Sequence, residues 1–405
     1  MQRIRSVDLM RGLVMIIMAL DHVRDFWSAS LYAMQPVMDP GIPTEWYLTR
    51  WITHLCAPIF VFLAGTSSRL WEVTNGASKR ELSMFLFTRG LWLVFIEFVV
   101  VNWSWQFDYS FSFGQVIWVI GASMIILALL VQLPRMAILV VGLAMVLGHD
   151  LFDQGGLIGP LVSWQGPAAT LPQWIWAFLH ESRFGCLFGE LGAGGCTSGQ
   201  PYFVAYPLVP WIGVMALGYL FADLLRAQGG LTRIRNIGLG LIAAFVLLRF
   251  ANVYGDPSPW AVQDGGLVDS IKSFFNVSKY PPSLLYLLIT LGLGLSMMQV
   301  LERLASSASA TMSRIGGWIA VFGRVPFFYY VIHVPLIHVT ARLYYGWGNG
   351  DWWYNSPDTW PADYEPNLWL TYLVWVSLVW ALYFPCRWYA DLKQRRKDLK
   401  VLSYV

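Results

Sequence analysis

Arg11 and His22 have the types and the spacing to do chemistry on one helix face. They stand eleven positions apart, which on an α-helix returns to within about 20° of the same side after three turns. At 1.5 Å per residue their axial separation is about 16 Å, so a guanidinium would sit near one mouth of a helix and an imidazole well toward the other. Asp8 lies three residues before Arg11, and Asp25 three after His22. Each functional group therefore has a carboxylate within helical reach. A carboxylate on one imidazole nitrogen fixes the tautomer and raises the basicity of the other, as a general base requires. The blander reading makes Asp8, Asp21, Arg24 and Asp25 interfacial charges, with His22 closing the apolar stretch.

An ionisable group inside a membrane helix costs roughly 2.5 to 3.5 kcal/mol at the helix centre, so each is a functional candidate. Others in apolar stretches are Glu97, Arg249, Arg324, His333 and His338. Glu97 and Arg249 could neutralise one another. His333 and His338 are five apart, which is no i,i+4 metal pair, and Pro326 and Pro335 should kink the stretch that carries them. His54, His149 and His338 read as satisfied interfacial histidines. No zinc HExxH, nucleophile elbow, P-loop or dinucleotide fingerprint is present, so the available chemistry is histidine and carboxylate, with no metal expected.

The elements that must position these residues follow from composition. Of 405 residues, 57% are hydrophobic and 13% charged, against roughly 25% charged in soluble domains. This excludes a soluble enzyme and a disordered chain, and the net charge of +3 is too small to indicate nucleic acid. Continuous apolar runs such as 116–133 exclude an alternating β-barrel pattern. The fold expected is all-α: a polytopic helical membrane protein with about ten transmembrane helices, near 9–28, 51–71, 88–106, 114–133, 136–152, 205–225, 237–254, 281–301, 316–343 and 368–388. With the N-terminus inside, most of the 27 Lys and Arg residues fall on the cytoplasmic side, which gives N-in and C-in. The first stretch lacks a cleavage site and is read as retained.

One domain is expected over 1–405, with a long extracytoplasmic loop at 153–204 and a basic cytoplasmic tail at 389–405. Cys186 and Cys196 in that loop either pair or stay as free thiols; Cys56 and Cys386 pack in spans. The 344–367 loop sets Trp347, Trp352, Trp353, Tyr354, Trp360 and Tyr364 among four carboxylates. That mixture suits a sugar, although an aromatic belt explains most of the rings.

The segment Arg5-Ser6-Val7-Asp8-Leu9-Met10-Arg11-Gly12, the Asp21-His22 pair and the run from Ala57 to Gly65 carry a resemblance. So do Tyr206-Pro207-Leu208-Val209-Pro210-Trp211, Lys279-Tyr280-Pro281-Pro282-Ser283-Leu284 and Phe322-Gly323-Arg324-Val325-Pro326-Phe327-Phe328. The chain resembles the transmembrane acyltransferase superfamily, specifically bacterial relatives of the heparan-alpha-glucosaminide N-acetyltransferase catalytic domain. The resemblance implies a multi-pass protein of a bacterial-type inner membrane that moves an acyl group, acetyl by preference, from cytoplasmic acyl-CoA to a sugar or glycan at the far face. The implied partners are the lipid bilayer, acyl-CoA and the acceptor, and homo-oligomerisation is left open. In that scheme His22, oriented by Asp25, is catalytic; Arg11 with Asp8, Arg89 and Arg324 holds the acyl donor; Arg24, Lys279 and His333 line the acceptor side. The rival readings are a transporter that uses the same charges as a proton or substrate path, and a scaffold that binds no acyl-CoA.

Overall fold

The computed structural model describes residues 4–28, 42–153, 173–182, 184–187, 189, 191–192, 195–307, 309–345, 366–396, 398–399 and 402. The aromatic and acidic cluster from Trp347 to Tyr364 lies outside the described residues, as do most of the first outer loop and residues 154–172.

The chain is mostly helical. The first helix, α1 (Arg5–Trp27), is followed by α2 (Thr44–Ile52), α3 (Cys56–Asn75), α4 (Lys79–Ile96), α5 (Asn102–Gln106), α6 (Val116–Leu130), α7 (Arg135–Gly148) and the short α8 (Gln173–Leu179). Then come α9 (Leu208–Arg226), α10 (Gly230–Ala251), α11 (Leu267–Phe275), α12 (Leu284–Ala305), α13 (Ala310–Arg324), α14 (Pro326–Tyr345) and α15 (Leu368–Arg395). Their ends follow local chemistry. Ser78 and Glu81 form a capping box that starts α4, and α3 stops where Gly76 takes the left-handed conformation at φ +60°.

Among the described residues seven helices are long and apolar enough to cross a membrane, or eight if α13 and α14 together make one span. The single stretch expected at 316–343 is two helices meeting at 83°. Val325, which precedes a proline, leaves the helical region at φ −133° and ψ 49°, and Pro326 starts the next helix, where its missing N–H costs nothing. Helix α15 runs to Arg395, so the first part of the expected basic tail continues a span. Leu247, Phe250, Met136, Val140 and Trp380 are exposed on α10, α7 and α15, the faces lipid would cover.

A small sheet departs from the all-α expectation. Strand β1 (Ser112–Gly114) pairs in parallel with β5 (Gln200–Val204), which pairs antiparallel with β2 (Phe184–Leu187). Register puts Phe113 and Phe184 on either side of Phe203. Two further strands, β3 (Leu191–Gly192) and β4 (Gly195–Cys196), make a separate hairpin, and Cys186 and Cys196 are joined by a disulfide. Strands β2 to β5 lie in the stretch expected as a long outer loop, and β1 lies ahead of it in the chain.

Helix α1 occupies the middle of the bundle, with Leu9, Val14, Ala19, Val23 and Phe26 at most 1% exposed. It crosses α13 closely because a glycine faces backbone from each side: Gly12 abuts the Ile319 carbonyl, and Gly323 the Asp8 carbonyl. Small residues at such crossings let membrane helices pack backbone to backbone.

Candidate active site

One face of α1 runs through two cavities. Met18, Asp21, His22 and Asp25 line a cavity of about 680 Å³, while Arg11 and Met15 line one of about 300 Å³ at the other end of the helix. The i, i+3 and i, i+4 steps from Arg11 through Met15, Met18 and His22 to Asp25 keep these side chains on one stripe. Helix α3 runs alongside in the same way: Cys56 and Ala57 border the first cavity, and Ala64, Ser67 and Ser68 the second. Phe60 of α3 and Val116 of α6 line both cavities. Tyr330 lines the Arg11 cavity and sets its ring edge-on to His22, with centroids 6.4 Å apart. The partition between the two spaces is therefore Phe60, Val116 and Tyr330.

The His22 cavity is lined by a charged cluster and by aromatic rings. Asp21 is its ionic hub: Arg50 Nη1 donates to both carboxylate oxygens at 2.7 and 2.8 Å, Arg24 Nη2 lies at 3.1 Å and Lys279 Nζ at 3.4 Å. Arg24 also donates to Asp25 at 2.9 Å. Buried cations so close together are tolerable only around such a carboxylate. Tyr280 borders the same wall beside Lys279. Burial pushes its phenol up, and the charges of Lys279 and Arg50 outweigh that, holding it below the ordinary tyrosine value. Trp105, Phe113, Phe184, Phe203 and Tyr206 supply the aromatic wall of the cavity; the last four come from the small sheet or the residues just after it.

His22 packs edge-on against Trp105 at 5.0 Å and His333 at 5.1 Å. Its Nδ1 is 3.8 Å from Asp25 Oδ2, beyond hydrogen-bond reach. The expected His22–Asp25 hydrogen bond is therefore not formed, and Asp25 accepts from Arg24 through its other oxygen, Oδ1. With Nδ1 turned to Asp25, Nε2 is the nitrogen left to the cavity.

In the Arg11 cavity the expected basic residues do meet. Arg11 donates to the Gly323 carbonyl at 3.0 Å and to Ser67 Oγ at 2.7 Å, with Asp8 3.7 Å away. Arg89 and Arg324 share the lining, joined by Lys393 from the end of α15.

Of the expected acceptor-side residues, Arg24 and Lys279 line the His22 cavity. His333 does not: it is wholly buried behind His22, and its Nδ1 donates to the Tyr330 and Tyr329 carbonyls at 2.7 and 3.1 Å. Glu97 and Arg249 do not meet. Glu97 accepts from the backbone N–H of Gln115 and Trp118 at 3.1 and 2.9 Å, capping α6. Arg249 instead pins the following loop through the carbonyls of Ser258, Ser273, Phe274 and Asn276. Asp256 in that loop has its carboxyl pushed up by burial, against hydrogen bonds from Ser283, Ser278 and Ser258. His149 is satisfied by Val146, Pro282 and Asp150; His54 and His338 are as deeply buried, and their Nδ1 atoms donate to the Arg50 and Ser104 carbonyls at 3.0 and 3.1 Å. Among the described residues no cluster of His, Cys, Asp and Glu could hold a metal ion.

The family model described as heparan-alpha-glucosaminide N-acetyltransferase, catalytic, matches residues 3–258. The chain belongs to the heparan-alpha-glucosaminide N-acetyltransferase catalytic family. No curated protein matches the chain. Membership in the N-acetyltransferase family implies acetyl transfer at a membrane, and the match covers α1 with both Arg11 and His22. Lys279, Arg324, Tyr330, His333 and Lys393 lie beyond the matched segment, yet four of these five line one of the two cavities.

Proposed function

We propose that this protein moves an acetyl group from cytoplasmic acetyl-CoA to a sugar or glycan acceptor on the extracytoplasmic side of a bacterial-type inner membrane. The observation that carries the proposal is the pair of cavities on one helix face, cationic at Arg11 and histidine-bearing at His22, with a single layer of side chains between them. In this reading α1 and α6 join the apolar helices to make about ten spans, and the placement of Lys and Arg supports an Arg11 mouth on the inside.

In this reading Arg11, steadied by Asp8, binds the CoA phosphates with Arg89, Arg324 and Lys393 through charge-assisted hydrogen bonds. The axial distance of about 16 Å from Arg11 to His22 is one an extended pantetheine arm can span past Phe60. The acceptor sugar stacks on the aromatic wall, with Arg24 and Lys279 beside it. His22 Nε2 takes the proton from the acceptor hydroxyl or amine as that atom attacks the thioester carbonyl. Asp21 and Asp25 keep the surrounding cations paired, so the imidazole is left with a free lone pair.

The test is His22→Ala in purified protein. Acetyl-CoA-dependent modification should fall by a factor of at least about 100 while acetyl-CoA binding, read by calorimetry, stays. Turnover at the native rate would remove His22 from the mechanism. Solute flux through vesicles without acetyl-CoA would favour a transporter.

A further inference from the structure

Tyr329 and Tyr330 are neighbours on α14, and both phenol hydroxyls are buried without a hydrogen-bond partner among the described residues. A buried hydroxyl left so costs about 1–3 kcal/mol, so each such group needs a physical account. The two differ in what they face. Tyr329 stacks on His333, centroids 5.1 Å apart and planes at 15°, meets Phe322 edge-on, and borders neither cavity. Tyr330 lines the Arg11 cavity, and its ring stands at 87° to the His22 imidazole, centroids 6.4 Å apart. His333 holds it there, since its Nδ1 donates to the Tyr330 carbonyl at 2.7 Å and its ring packs against the Tyr330 ring at 5.3 Å. An unused donor thus stands between the space that suits the acyl donor and the imidazole.

We propose that the Tyr330 hydroxyl is a further catalytic residue that donates a hydrogen bond to the acyl carbonyl oxygen during transfer; this rests on the acetyltransferase reading above. When the acceptor atom bonds to the carbonyl carbon, the C=O π pair moves onto the oxygen, and the Tyr330 O–H stabilises that charge. The pair returns to re-form C=O as the C–S bond breaks. CoA leaves with the sulfur pair and takes up the proton that His22 removed from the acceptor. Tyr330 keeps its own proton throughout. A dry donor with no bond to give up needs little reorganisation as the charge develops.

Tyr330→Phe removes only the hydroxyl, and Tyr329→Phe is its matched control. With acetyl-CoA as donor and glucosamine as acceptor probe, release of the CoA thiol reports turnover. Tyr330→Phe should lower kcat about 100-fold, leave KM for acetyl-CoA within about twofold, and leave the thermal midpoint unchanged or higher. Tyr329→Phe should turn over at the native rate. Native kcat in Tyr330→Phe, an equal loss in Tyr329→Phe, or a lowered thermal midpoint in Tyr330→Phe would each overturn this role while leaving the acetyltransferase reading in place. A native protein that releases no thiol would overturn that reading, and this role with it.

Discussion

Asp21 shows how one carboxylate organises a site that would otherwise repel itself. Arg24, Arg50 and Lys279 all lie within 3.4 Å of it, and in a partly buried space three cations without their counter-charge are strongly unfavourable. Asp21→Asn should lower stability by about 3 kcal/mol or more, seen as a drop in the thermal unfolding midpoint in detergent. Asp25→Asn, which leaves the Asp21 hub whole, should cost markedly less by the same measurement. The shared stripe of Arg11 and His22 was legible because a helix places residues eleven apart on one side whatever surrounds it. The importance of Asp21 was not, since on the sequence it reads as one more charge at the end of an apolar run. Arg50 gave no signal at all: it reaches Asp21 from another helix, twenty-nine residues on.

At the scale of elements, the α1–α13 crossing decides where Arg11 sits. Gly12 and Gly323 let the two backbones touch, and the Gly323 carbonyl accepts from Arg11 Nη1. Gly323→Ala would drive a methyl group into the Asp8 carbonyl and the Gly12 backbone. Such overpacking costs typically about 1–3 kcal/mol, and relief requires α1 to move away. Acetyl-CoA affinity should therefore fall, by calorimetry, more than it does for Gly317→Ala, where the added methyl meets open space. The glycines stand out in the sequence, but which helix each faces does not. The small sheet was missed for a related reason: strands of two to five residues carry too few positions to show alternation, and β1 finds its partner in β5, with paired residues 90 positions apart.

At the scale of the whole molecule, the two cavities are separate and share Phe60 and Val116 in their linings. Phe60→Ala should join them into one path and raise proton leak in proteoliposomes, measured with an internal pH dye; acetyl-CoA added on the Arg11 side should suppress the leak. An unchanged leak would mean that Val116 and Tyr330 close the path without it. The sequence by itself determined the membrane, the helices and the family, because hydropathy and charge placement act residue by residue and the Arg11 to His22 stripe needs only helical periodicity. Tertiary structure decided that the stripe passes through two chambers, that Asp21 rather than Asp25 gathers the cations, and that His333 stands behind the imidazole. Those facts depend on which helices pack side by side and how closely, and packing is settled by contacts between residues far apart in the chain.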